Sequence, residues 1–139
     1  MRHCVDLEDG GWREIAARFH LDLLVLFGSR ATGRHRARSD FDLAVLDATS
    51  PLNAESRAAL ALELVQLLGT DSIDLVFLRR ASPLLRYNAL RRCIVLYESA
   101  PRLYQRCRWQ ACKLWEDSRW LHRAKLRRID NFLRARGLA

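Results

Sequence analysis

The chain has 139 residues, half of them hydrophobic, which is enough for one compact domain with a real core and too apolar for general disorder. No apolar run approaches the length of a membrane span, and the N-terminus MRHCVDLEDGG has no signal-peptide core, so a cytoplasmic protein is expected. The net charge of +8 is placed unevenly: residues 1–101 balance 13 Arg against 13 acids, while residues 102–139 carry 11 basic residues against Glu116, Asp117 and Asp130. A balanced first part argues against a cleft built to grip nucleic acid, and a basic tail reads as a docking surface or a solvated helix face.

In chain order, Gly11–His20 suits a short helix with Trp12, Ile15, Ala16 and Phe19 on one side. Leu23–Phe27, within the apolar run Leu21–Phe27, reads as a buried strand ended by Gly28-Ser29. Ser29–Gly33 is expected to make one or two helical turns, and Arg34–Ser39 a polar loop. A second strand covers Asp40–Leu46, and Asp47–Asn53 a connection. Ala54–Leu68, with Leu60, Leu64, Leu67 and Leu68, predicts a helix closed by Gly69. The third strand takes Ile73–Leu78, with Asp74 embedded among apolar residues. Ser82-Pro83 starts a helix that runs to Arg92. Ile94–Tyr97 is a short strand or an extended strap.

From Arg102 to about Arg136 the pattern is helical, with a possible interruption near Asp117-Ser118. Tyr104, Cys107, Ala111, Leu114, Trp115, Leu121, Leu126, Ile129, Phe132 and Leu133 share one broad face, expected to pack on the sheet or the other helices. Trp109 and Trp120 lie opposite, among Arg102, Arg106, Lys113 and Arg127, where a protein-partner surface is the preferred reading. The expected organisation is a core at 1–101 and a basic helical segment at 102–139 packed on it, within a single domain. Cys4, Cys93, Cys107 and Cys112 form no CxxC, and His3, His20, His35 and His122 are scattered, so free thiols are expected and no chemistry is assigned to the imidazoles.

One stretch is hard to explain as packing. In GSRATGRHRARSDFDLAV, Asp40 and Asp42 stand two apart, so on an extended strand both carboxylates leave the same face. Like charges side by side repel and lose hydration, and a divalent cation offsets both costs; hard Mg²⁺ takes such oxygen ligands. Asp74 reaches the same cleft if its strand lies beside that of Asp42. Gly28 lets the backbone approach a ligand and Ser29 offers donors at a helix start, a cradle for nucleotide phosphates. Asp40, Asp42 and Asp74 as ligands of one or two Mg²⁺ fit two-metal nucleotidyl transfer, with metals about 3.5–4 Å apart. For Asp74 the competing reading is an ion pair with Arg79 or Arg80. Among Arg30, Arg34, Arg36 and Arg38, Arg30 adjoins the turn and is best placed to steady the phosphates.

Gly28-Ser29, then Asp40-x-Asp42, then Asp74 resembles the DNA polymerase beta-like nucleotidyltransferase superfamily, and the wording GSRATG…SDFDLAV looks like its minimal nucleotidyltransferase (MNT) family, notably the MntA-type antitoxins. The likeness runs from about Leu21 to Glu98 and more loosely beyond. Thr32 departs from it, since many relatives carry Arg there. The resemblance implies an α/β fold, a small mixed β-sheet flanked by helices, with a C-terminal helical segment. It implies ATP as donor and two Mg²⁺. It also implies a HEPN ribonuclease toxin as hetero-oligomeric partner, silenced by transfer of AMP to a hydroxyl, a tyrosine in the family. Two alternatives stay open: a small-molecule acceptor, for which only about 38 residues follow the core, and a non-catalytic antitoxin that acts by binding.

Overall fold

A computed structural model describes residues 10–34, 39–48 and 50–138. The elements in order are α1 (Gly11–Arg18), β1 (Leu21–Phe27), α2 (Ser29–Thr32), β2 (Phe41–Asp47), α3 (Ala54–Leu68), β3 (Ile73–Phe77), α4 (Pro83–Arg91), β4 (Ile94–Glu98) and α5 (Leu103–Ala135). The four strands form one mixed sheet in the order β3-β2-β1-β4. β1 runs antiparallel to both β2 and β4, while β2 and β3 are parallel. This is the small mixed sheet flanked by helices expected from the sequence.

The period of two along a strand divides the core into two layers. Leu24 and Leu26 of β1 and Phe41, Leu43 and Val45 of β2 join Trp12, Ile15, Leu60 and Leu64 from α1 and α3. Leu23, Val25 and Ala44 point the other way, onto Ala89 and Leu90 of α4 and Ala111 of α5. Leu23, Leu24, Leu43, Leu60 and Leu64 are fully buried, and each such side chain stabilises the fold by roughly 1.5–3 kcal/mol relative to exposure. Sequence parity puts Asp42 on the Ala44 face, towards the α4 and α5 side.

Element ends follow local chemistry. α1 stops at Arg18, short of the expected His20, because His20 adopts a left-handed φ of 52° that a helix cannot continue. Asn53 caps α3 by accepting from the Ser56 N–H at 2.8 Å, and Gly69 closes it with φ 67°. Ser82 caps α4 through the Leu85 N–H, with Pro83 at the first position. Ile94–Glu98 is a true strand, paired with β1. β2 begins at Phe41, so Asp40 stands just before the strand rather than in it.

α5 departs from expectation twice. It is a single uninterrupted helix of 33 residues, with no break at Asp117-Ser118. It starts where Arg102 turns left-handed, φ 65°, and Glu98 accepts from the Tyr104 N–H at 3.1 Å. Tyr104, Cys107 and Ala111 pack into the second core layer. Leu114, Leu121, Leu126, Ile129 and Phe132, expected to be covered, are exposed. The reason is length: at 1.5 Å per residue the helix reaches about 50 Å, farther than the small sheet and α4 extend beneath it. Trp109 and Trp120 are exposed, as the opposite-face reading requires. Among the described residues no helix is long and apolar enough to cross a membrane.

Candidate active site

The site forms where β1 ends and β2 and β3 begin. Antiparallel pairing sets Phe27, the last residue of β1, opposite Asp42. Parallel pairing sets Asp42 opposite Asp74. The glycine turn and two of the three candidate carboxylates therefore meet at one end of the sheet. Asp40 is exposed immediately before β2, Asp42 is half-buried and Asp74 exposed.

Gly28 fits this place because of Asp42. A β-carbon there would overlap Asp42 Oδ2 and stand 3.0 Å from its Cγ. The backbone of Gly28, φ 73° and ψ −155°, also lies in a region essentially confined to glycine. Its carbonyl accepts from the N–H groups of Ala31 and Thr32, turning the chain into the short helix α2 that begins at Ser29.

Electrostatics single out Asp42. Burial first, then the neighbouring carboxylates of Asp74 and Asp40, push its carboxyl above the ordinary value. The three acids thus share one electrostatic environment. Among the described residues no three His, Cys, Asp or Glu side chains close into a cage for a metal ion by themselves. Mg²⁺ does not need one, since it is usually held by one or two carboxylates together with water and substrate phosphates. Hard oxygen donors whose mutual repulsion a cation relieves are the right donor set, so the residues fit the ion.

Arg30 is tied to the start of β2. Its Nε donates to the Ser39 carbonyl at 2.9 Å, and its guanidinium lies 3.9 Å from the centre of the Phe41 ring. The sequence reading placed Arg30 near the phosphates but missed these contacts with the residues on either side of Asp40. Arg36 and Arg38, also considered there, lie outside the described residues, as do Cys4, His3 and His35. Arg34 is exposed.

The suggested Arg79 partner for Asp74 is engaged elsewhere. Arg79 Nε donates to the main-chain carbonyl of Asp47 at 2.9 Å and lies 3.2 Å from Asp47 Oδ1, while Nη2 donates to the Ala48 carbonyl. Asp47 Oδ1 makes the charge contact without hydrogen-bond geometry, because the N–H aims at the main chain. Asp47 is the one buried charged residue among those described, and its other oxygen accepts from the Leu52 N–H. The sequence reading took Asp47 for loop; only its adjacency to an apolar strand hinted at burial.

Residues 13–102 match the Polymerase beta, Nucleotidyltransferase family. The chain belongs to this nucleotidyltransferase family. It is also 32% identical over 139 residues to a protein named protein adenylyltransferase MntA from Aphanizomenon flos-aquae (strain 2012/KM1/D3), covering 91% of this chain and 93% of that one. Among solved structures, a toxin–antitoxin MntA-HpeT mutant is 25% identical with a TM-score of 0.68, covering 84% of this chain and 93% of that chain. A complex of tri-AMPylated Shewanella oneidensis HEPN toxin with MNT antitoxin is 23% identical with a TM-score of 0.63, covering 86% of this chain and 95% of that chain, a likeness of fold. The nucleotidyltransferase match spans α1 to β4 and ends as α5 begins.

Proposed function

We propose that this chain is the antitoxin of a HEPN/MNT pair, a protein adenylyltransferase that moves AMP from ATP onto a hydroxyl of its HEPN partner, a tyrosine by family resemblance. The observation that carries the reading is the convergence of Gly28, Asp42 and Asp74 at one end of the sheet. The 32% identity with a protein adenylyltransferase supports the choice of a protein acceptor. In this reading residues 1–101 are the catalytic core, 102–139 the basic helical segment, and the pair acts in the cytoplasm.

The chemistry is substitution at the α-phosphorus. The acceptor oxygen forms a bond to that phosphorus, the bond to the bridging oxygen breaks, and pyrophosphate leaves with the electron pair. Asp74, more exposed than Asp42, takes the acceptor's proton. Asp40, Asp42 and Asp74 would hold Mg²⁺, which supplies charge neutralisation on the phosphate oxygens. Gly28 and Ser29 bring main-chain donors to the triphosphate, since no side chain at Gly28 keeps the backbone away. Arg30 keeps Ser39 and Phe41 in place, and its guanidinium, next to the Gly28-Ser29 turn, supplies positive charge for the phosphates.

The test is incubation with labelled ATP, Mg²⁺ and the co-expressed HEPN protein. Label is expected on that protein and is lost with Asp40→Asn/Asp42→Asn. A bound, unlabelled and still active partner would overturn the reading.

A further inference from the structure

α5 carries one continuous apolar stripe, and the body of the protein covers only its first part. Tyr104, Cys107 and Ala111 reach the core, and Trp115 still finds the Tyr87 ring, 6.0 Å away. Farther along the same side, Leu114, Leu121, Ile129 and Phe132 are 40%, 60%, 47% and 53% exposed. At 1.5 Å per residue, Leu114 to Phe132 spans about 27 Å. Leu121, Ile129 and Phe132 line a shallow groove there. Single exposed apolar side chains are ordinary, but a contiguous row rimmed by charge marks an interaction surface.

The charge around the row narrows the occupant. The groove itself is bordered by Lys125 and Arg128, with no acidic side chain among its lining residues. Asp130 is already paired with Arg134 at 3.0 Å. A second copy laid on this face would set like charge against like. A complementary surface is apolar along its centre and acidic at its borders, the form a partner helix presents when it lies against another.

We infer that the α5 stripe is the docking surface for the acceptor protein, and that it takes an apolar helix face bordered by Asp and Glu. This rests on the reading of the chain as a protein adenylyltransferase. Trp109 and Trp120, the partner surface expected from the sequence, are exposed on another side of the helix, and the contact proposed here moves from them to the apolar stripe.

The measurement is the affinity for the HEPN protein, together with AMP transfer to it. Leu121→Glu/Phe132→Glu alters only exposed positions, so the fold, checked by circular dichroism, is kept. Affinity is expected to fall about 30-fold or more, the scale of interface hot spots. Transfer by this variant recovers when the partner is raised to saturation. Lys125→Glu/Arg128→Glu, at the border of the groove, slows association and weakens its salt dependence. Trp109→Ala/Trp120→Ala and Asp42→Asn keep binding. Unchanged affinity in Leu121→Glu/Phe132→Glu overturns the inference. So does a wild-type homodimer that this variant splits, or preferential binding to anionic phosphatidylserine vesicles. Binding that depends on α5 but transfers no AMP sinks the proposed chemistry instead, and leaves the docking surface standing.

Discussion

Gly28 and Asp42 occupy each other's space: where a β-carbon of residue 28 would stand, the Asp42 carboxylate already lies. The end of β1 therefore sets where the central carboxylate of β2 can go. Gly28→Ala meets both this overlap and a backbone conformation that costs a non-glycine residue about 1–3 kcal/mol. Transfer should drop at least about 100-fold as Asp42 is displaced, the scale on which a Lewis-acid contribution of several kcal/mol is lost. Gly33→Ala is the control. Gly33 is also left-handed, φ 75°, but open space surrounds it, so near-normal kcat is expected with a stability loss of about 1 kcal/mol.

Asp42 carries a stability cost that runs opposite to that of a salt-bridged aspartate. Its folded pKa is raised, so the stability it contributes is present below the unfolded value of 3.8 and is lost as pH rises through the folded value. At pH 7 the ionised carboxylate, half-buried and facing Asp74 and Asp40, opposes folding. Metal-free Asp42→Asn should therefore melt higher than wild type at pH 7, with the gap closing as pH falls below about 4. Mg²⁺ should raise the Tm of wild type and leave that of the variant nearly unmoved. Thermal melts across pH, with and without Mg²⁺, read both effects.

Arg30 offers two separable contributions. Arg30→Met removes the Ser39 tether, the Phe41 stacking and the charge, and kcat/KM for ATP should fall about tenfold, the scale of one charge-assisted hydrogen bond. Arg30→Lys restores charge without the Nε tether. Its KM should return towards wild type while kcat stays low, because the aspartate segment is still loose. Steady-state kinetics on both variants separate phosphate contact from positioning.

Tyr104 pins the start of α5 to the end of α4, its hydroxyl donating to the Leu90 carbonyl at 2.6 Å. Burial first, then contact with the Cys93 thiol, push the hydroxyl pKa up to about 12. The neutral form is thus the folded form, and its stability is present below pH 10 and lost as pH rises from 10 towards 12. Tyr104→Phe should cost about 1 kcal/mol near neutral pH. That difference from wild type should shrink over the alkaline window, as urea melts at pH 7 and above pH 10 would record.

The sequence makes the catalytic end of the sheet legible because its signals are local. Asp40-x-Asp42 leads straight into an apolar run, Gly-Ser ends another, and parity within a strand tells which side chains share a face. The same locality explains α3, whose bounds Ala54 and Leu68 are those observed. The Asp47–Arg79 contact was not legible, since it joins residues 32 apart through a parallel pairing that no short-range pattern encodes. The exposure of Leu121 and Phe132 was hidden for another reason. Periodicity shows that a helix has an apolar side, but the side reads alike whether its own core or another protein covers it.

The central claim is tested most directly by the intact mass of the HEPN protein after co-expression with this chain. Co-expression with wild type should add one or more adenylyl groups to a single partner peptide, and Asp40→Asn/Asp42→Asn should leave its mass unchanged. An unmodified partner that wild type nonetheless neutralises would contradict the account.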